Sequence, residues 1–505
     1  IYENTKIKVI GMKDKTLLQA LILGVGQVAA KVLSLVFLFR FANDLGKDAM
    51  SMYAFAYVPF SLFADLACFG LIPGTSKLVS KLLGEKDEEK VNHLLRRGTF
   101  YCVLAGIFFF LFMLFFSRQI LSVSLFEGYT EETFETVRTN LLMASLSLFF
   151  LPLIHFFKGF LQGHFIMYPS CISIILENVV KLLLYIVLAK YVHNTALVFS
   201  VFIIYLIGYV ASFLLLLYFV FPYFKKKHEK FSSVPLLLKT CIPFGIATMF
   251  FTIYQFIDSV SLPVLLPVEG YYTAYMYETI RLIFFPIVIA QALGGVLNPK
   301  INYMFQEDRI EEAKRIAEKC SSLIIFILIP FMILIRYFAS DIYNLFYKQE
   351  NGAVILYHIS ILIIFFGLHK VLIGISLGLP KAHYIIIATI ISALAKYILN
   401  LVLVPKLGYL GAIYATILAI SICILAAYFV LHREGICLFL KNIRDLLLAI
   451  LTTFISIFFV VVFRVCFFLN HYPAYYSIIA YSILLMGSYY ILLKIFKQTY
   501  KLCIK

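Results

Sequence analysis

From Leu197 to Phe221 the chain runs for 25 residues without a charge, and Val103 to Phe116 is a second uncharged run. About twenty such residues cross the hydrocarbon core of a bilayer as a helix. In lipid the backbone must satisfy its own hydrogen bonds, so only helices and closed barrels span it. These runs lack the period-two alternation of barrel strands. The fold class that follows is all-α, a polytopic membrane protein. Composition agrees: 62% of residues are hydrophobic and 14% charged, against ~45–50% and ~25% in soluble domains.

Apolar windows of ~19 residues place about fourteen spans, near 17–39, 52–72, 99–117, 139–160, 168–190, 197–221, 236–258, 272–298, 317–337, 354–377, 384–404, 410–431, 445–468 and 474–496. Loop charge sets their orientation. One side collects Lys6 to Lys15, Lys77, Lys81, Lys86, Lys90, Arg96 and Arg97. It also holds Lys225, Lys226, Lys227, Lys230, Lys300, Arg309, Lys314, Arg315, Lys319, Arg433, Lys441, Arg444, and Lys494 to Lys505. The opposite side is thinly basic, and its longest loop carries Glu127, Glu131, Glu132 and Glu135. The positive-inside rule then puts both ends of the sequence in the cytoplasm, as an even span count requires.

The formal net charge of +16 belongs to these short loops, so no nucleic-acid partner is expected. The nine Cys are scattered and form no CxxC pair, which reads as small apolar residues rather than disulfides or metal ligands. Trp is absent, and the 34 Tyr take over its interfacial role, as at Tyr271, Tyr272, Tyr489 and Tyr490. Leu17 to Phe39 is too long for the apolar core of a signal peptide, so no cleaved leader is expected. No cofactor or metal is expected either.

The chain also repeats itself. Pro73-Gly-Thr-Ser-Lys-Leu-Val-Ser-Lys and Pro299-Lys-Ile-Asn-Tyr-Met-Phe-Gln-Glu each begin a short polar helix after the second span of a half. Gly159-Phe-Leu-Gln-Gly163 aligns with Gly374-Ile-Ser-Leu-Gly378, and in that register Lys181 falls on Lys396. The expected organisation is an N-terminal six-helix lobe over 1–222, a basic linker over 223–235, a second six-helix lobe over 236–432, and two further spans with a tail over 433–505. Parallel repeats of this kind place a substrate path between the halves of a transporter and open it alternately to each side.

Charges inside spans are costly, and by default they mark an interior cavity. They are chiefly Lys31, Asp65, Glu177, Lys181, Asp258, Glu278, Arg281, Lys370 and Lys396. Glu177 with Lys181, and Glu278 with Arg281, have the spacing of neutralising neighbours on one helix. Asp258 and Lys370 read as boundary residues. The candidate cavity set is Lys31, Asp65, Lys181, Gln255, Glu278, Arg281 and Lys396. Lys31 and Arg281 together would suit phosphate, which Arg grips through two parallel hydrogen bonds. Polar Gln255 either lines the cavity or joins helices. No enzyme is expected: HExxH and GxSxG are absent, and Gly70-Leu-Ile-Pro-Gly-Thr-Ser-Lys has the wrong spacing for a P-loop.

Gly70-Leu-Ile-Pro-Gly-Thr-Ser-Lys-Leu-Val-Ser-Lys resembles the loop after the second span in flippases of the MurJ and SpoVB type. Pro405-Lys-Leu-Gly-Tyr-Leu-Gly-Ala-Ile-Tyr-Ala-Thr resembles the signature opening the twelfth span in polysaccharide exporters. Both belong to the multidrug/oligosaccharidyl-lipid/polysaccharide (MOP) superfamily, and fourteen spans are similar to the MurJ and SpoVB branch. The resemblance implies a flippase of the bacterial cytoplasmic membrane that moves an undecaprenyl-pyrophosphate-linked sugar, such as lipid II, to the outer leaflet. Its partners would be that lipid-linked oligosaccharide pyrophosphate, membrane lipids and a coupling ion. Its basic cavity residues carry over to Lys31 and Arg281, whereas the second span offers Asp65 where the family has a basic residue. The resemblance also associates the last two spans with a groove for the lipid tail. The alternative is a multidrug exporter of the same architecture, for which Asp65 speaks. A membrane-embedded glycosyltransferase would need a larger outer loop than the one around Glu127 to Glu135.

Overall fold

The computed structural model of the chain describes residues 24, 26–45, 47–124, 130–192, 194–224, 233–266, 271–306, 309–347, 352–377, 383–433 and short stretches from 435 to 491. The spans expected at 445–468 and 474–496 lie almost wholly outside these residues. So do Lys6 to Lys15, Lys225 to Lys230, Glu127, Gly378, Lys441, Arg444 and Lys494 to Lys505.

Among the described residues every regular element is helical. The order begins with α1 (26–44), α2 (Lys47–Ala67), α3 (Leu71–Gly84), α4 (Glu88–Ser124) and α5 (Glu131–Ser145). After α5 come a 3-10 turn (Leu146–Phe149), α6 (Leu151–Gly163), α7 (Tyr168–Leu188) and α8 (Asn194–Phe224). Next are α9 (Ser233–Thr248), α10 (Phe250–Leu265), a π-helical segment (Ala274–Thr279) and α11 (Ile280–Gln306). The order ends with α12 (Ile310–Tyr337), α13 (Ala339–Tyr347), α14 (Ala353–Ile359), α15 (Leu362–Leu377), α16 (His383–Leu407) and α17 (Tyr409–Arg433). Among the described residues eight helices are long and apolar enough to cross a membrane, or ten if each of two bent pairs is one span. The two pairs are α9 with α10, bent by 62°, and α14 with α15, bent by 41°.

Local chemistry explains several boundaries. Thr130 caps α5 by accepting from the Thr133 N–H at 3.3 Å, and Glu131 and Glu132 follow in the first turn, where the helix dipole favours negative charge. The span expected at 139–160 is broken by the 3-10 turn, after which Pro152 restarts the chain in the first turn of α6, where its missing N–H costs nothing.

The helices form two compact units, residues 1–276 with 396–401 and residues 277–395 with 402–505. This boundary in packing and the repeat boundary expected at 223–235 are different quantities. In the first unit α3 lies on α6 and α9, and α7 on α8. The Gly159-to-Gly163 motif earns its glycines there. A Cβ on Gly159 would stand 2.7 Å from the Ile72 carbonyl, and one on Gly163 2.6 Å from Val79 Cβ. In the second unit α11 packs on α15, which also meets α12 and α17. The apolar side chains left outside face the solvent that suits them: Phe115 on α4 is 70% exposed and Leu394 on α16 61%, as for a surface bathed in lipid.

Candidate functional site

The polar interior of the first unit begins with Lys181. This residue is 8% exposed, and its Nζ lies 2.6 Å from Glu177 Oε1, one turn back on α7. The same ammonium sits over the rings of Tyr205 and Tyr209, 4.7 and 4.0 Å from their centroids. Both rings come from α8, and Gly208 beside them makes room for the lysine, since a Cβ there would stand 2.9 Å from Lys181 Cε and Cγ. The one-helix neutralisation legible in the sequence is therefore realised, with aromatic faces added to it.

Lys396 on α16 is fully buried and pairs with a different kind of partner. Its Nζ lies 2.7 Å from Oδ1 of Asp258 on α10. Asn400 donates to the same oxygen at 2.7 Å and to Ser261 Oγ at 2.9 Å. Tyr275 O–H donates to Asp258 Oδ2 at 2.7 Å. Three donors thus converge on one buried carboxylate and fix its position. Asp258, expected as a boundary residue, is corrected to the centre of this network, at 3% exposure. A polar stripe was the available signal: Thr389, Ser392, Lys396 and Asn400 recur at helical spacing on an otherwise apolar helix, and all four are buried.

Lys31 on α1 is half-buried and Asp65 on α2 is exposed. Asp65 accepts a hydrogen bond from the Thr252 hydroxyl of α10. Gln255, one turn further along α10, donates to the Met276 carbonyl at 3.3 Å. In the second unit, Glu278 is buried and accepts from the Tyr343 hydroxyl of α13. Tyr347 donates to the Glu278 carbonyl at 3.1 Å. The Arg281 guanidinium lies 3.9 Å from the Tyr277 centroid. Glu278 lies within the π-helical segment Ala274–Thr279, a conformation often kept at functional positions.

The seven candidates thus sort by availability. Lys181, Lys396 and Glu278 are buried in close contacts, whereas Lys31, Asp65, Gln255 and Arg281 keep partial or full exposure. One buried cation escaped the sequence reading. Lys158 on α6, 6% exposed, interacts electrostatically with Glu177, Lys181 and Cys68. Among the described residues no three His, Cys, Asp or Glu side chains gather as a metal site.

Known proteins match this chain on both sequence and fold. The family model described as "Lipid II flippase MurJ" matches residues 124–487, and the MatE model matches residues 25–187. The lipid II flippase MurJ of Bacillus subtilis (strain 168) is 24% identical over 459 residues, covering 84% of each protein. A lipid II flippase MurJ solved in an inward closed conformation superposes with a TM-score of 0.70 at 18% identity, covering 95% of this chain and 99% of that one. An outward-facing multidrug-resistance MATE transporter of the MOP superfamily gives 0.66 at 13% identity, covering 83% and 95%.

Proposed function

Because the chain belongs to the MurJ lipid II flippase family, we propose that it moves an undecaprenyl-pyrophosphate-linked sugar precursor, lipid II or a close relative, across the cytoplasmic membrane by alternating access. The match to the family over residues 124–487 carries this reading. Chemistry inside the spans supports the cargo. Lys31 and Arg281 are basic groups within apolar helices that retain exposure, and each is suited to a phosphate oxygen. Lys31 in the first unit and Arg281 in the second each offer a cationic contact to phosphate, and the polyprenyl tail stays in lipid. Gln255 and Asp65 add polar contacts to the sugar. The basic loops lie in the cytoplasm, as the positive-inside rule directs, so the headgroup is collected there. The membrane potential acts on cavity charges with ~2.3 kcal/mol per charge per 100 mV, and together with a coupling ion it supplies the direction of transport.

The test reconstitutes the protein in vesicles and follows the leaflet accessibility of a lipid-linked pyrophosphate sugar. Lys31→Ala and Arg281→Ala should each slow the movement by about tenfold or more, the loss of one charge-assisted contact to phosphate. Unchanged movement in both variants would remove the cationic cavity from the account.

A further inference from the structure

Lys181 has more partners than charge balance requires. Glu177, one turn back on α7, already supplies a carboxylate oxygen 2.6 Å from its Nζ. The same ammonium also lies over two aromatic faces of α8, 4.7 Å from the Tyr205 centroid and 4.0 Å from that of Tyr209. A carboxylate joined by aromatic faces is the receptor chemistry for an organic ammonium. The Tyr205 wall of this cage is held by contacts that do not involve the lysine. Its hydroxyl shares a 3.0 Å hydrogen bond with that of Tyr53, and Tyr57 stands edge-on to its ring at 6.4 Å. Tyr53 in turn stacks on Tyr57 at 5.4 Å.

The room inside the cage is the volume of the lysine itself. A Cβ on Gly208 would stand 2.9 Å from Lys181 Cγ and Cε and 3.2 Å from the Glu177 carbonyl. Gly208 therefore leaves a slot between α7 and α8 that the lysine stem fills. The slot is not sealed, because the Lys181 and Glu177 side chains are 10% and 15% exposed. Tyr57 and Tyr209 keep partial exposure as well, and these groups mark its mouth.

We propose that Glu177, Tyr205 and Tyr209 form an organic-ammonium site in the first unit, and that Lys181 is its tethered occupant, which keeps free organic cations out. A ligand carried on the same helix competes at an effective concentration on the order of millimolar or more. A free amine finds the cage taken, which is specificity by exclusion. Resting on the flippase reading, the exclusion serves a carrier of anionic headgroups, for which an organic cation is the wrong cargo.

Lys181→Ala removes the part of the side chain from Cγ to Nζ, which is a propylammonium ion. The purified full-length wild type, Lys181→Ala and Lys181→Met are heated with increasing propylammonium chloride, and with sodium chloride and 1-propanol as controls. The Lys181→Ala midpoint should rise with propylammonium, reaching half its effect on the order of millimolar, and neither control should reproduce the rise. Wild type, whose slot is full, and Lys181→Met, whose stem still fills it, should need at least about tenfold more amine for the same shift. Adding Glu177→Gln to Lys181→Ala should weaken the response at least about tenfold. Lys181→Ser takes the place of Lys181→Ala if that variant does not fold. A folded small variant that responds to propylammonium no more than to sodium would overturn the proposal, as would an equal response in wild type. The flippase reading fails separately, if the wild-type protein moves no lipid-linked pyrophosphate sugar while Lys181→Ala still binds propylammonium.

Discussion

Lys181 and Lys396 occupy the same register of the repeat, yet they are neutralised in opposite ways. Lys181 turns to Glu177 on its own helix. At the position equivalent to Glu177, α16 carries Ser392, whose hydroxyl donates to the Thr389 carbonyl at 2.8 Å. Without that carboxylate Lys396 reaches across to Asp258 of α10. The residue one turn further on diverges too. Tyr185 donates to Asp44 at the end of α1, at 2.9 Å, and Asn400 in the matching place donates to Asp258. One contact therefore recurs in both halves, a bond from the helix of the lysine to an aspartate on another helix. In the first half the lysine stays out of that bond, and in the second it joins it. The same residue is a local neutraliser in one copy and a clamp between helices in the other.

The comparison breaks most visibly at Asp258. Asp258→Ala leaves a fully buried Lys396 without its counter-ion, and should cost about 3–5 kcal/mol, read as a large drop in the thermal midpoint of the detergent-solubilised protein. Adding Lys396→Met should restore part of the loss, because the stranded charge is gone. An Asp258→Ala midpoint equal to wild type would show that the clamp carries no stability. Glu177→Gln should cost less, about 2 kcal/mol, since the Tyr205 and Tyr209 rings still face the Lys181 ammonium. A larger loss for Glu177→Gln than for Asp258→Ala would reverse the ranking of the two sites. Gly208→Ala should have the smallest effect, about 1 kcal/mol of overpacking against the lysine stem. Combined with Lys181→Ala, which empties that space, Gly208→Ala should add almost nothing. Additive losses in the double variant would mean that Gly208 serves something other than Lys181.

Much of the fold was legible in the sequence because lipid imposes a simple rule, about twenty apolar residues per span. The same rule hides breaks inside a span. The 3-10 turn at Leu146–Phe149 and the bend between α9 and α10 arise from packing and leave hydropathy untouched. Of the charges, the Glu177–Lys181 pair was readable because both partners lie on one helix. The Asp258–Lys396 pair was not, since its partners stand 138 positions apart. Lys158 was overlooked because it lies in Phe156-Phe-Lys-Gly-Phe160, near the end of a span, where a lysine ordinarily reaches back to the headgroups. Only the packing of α6 shows that this one is buried.

Transbilayer movement itself tests the central claim. The protein is reconstituted alone in vesicles under a membrane potential, and three cargos are compared: a lipid-linked pyrophosphate sugar, the corresponding monophosphate lipid, and a lipophilic cationic drug. Movement of the pyrophosphate-linked sugar well above that of the other two is the predicted result. Transport of the cation with the sugar-lipid left in its original leaflet would contradict it, and would turn the same fold into an exporter.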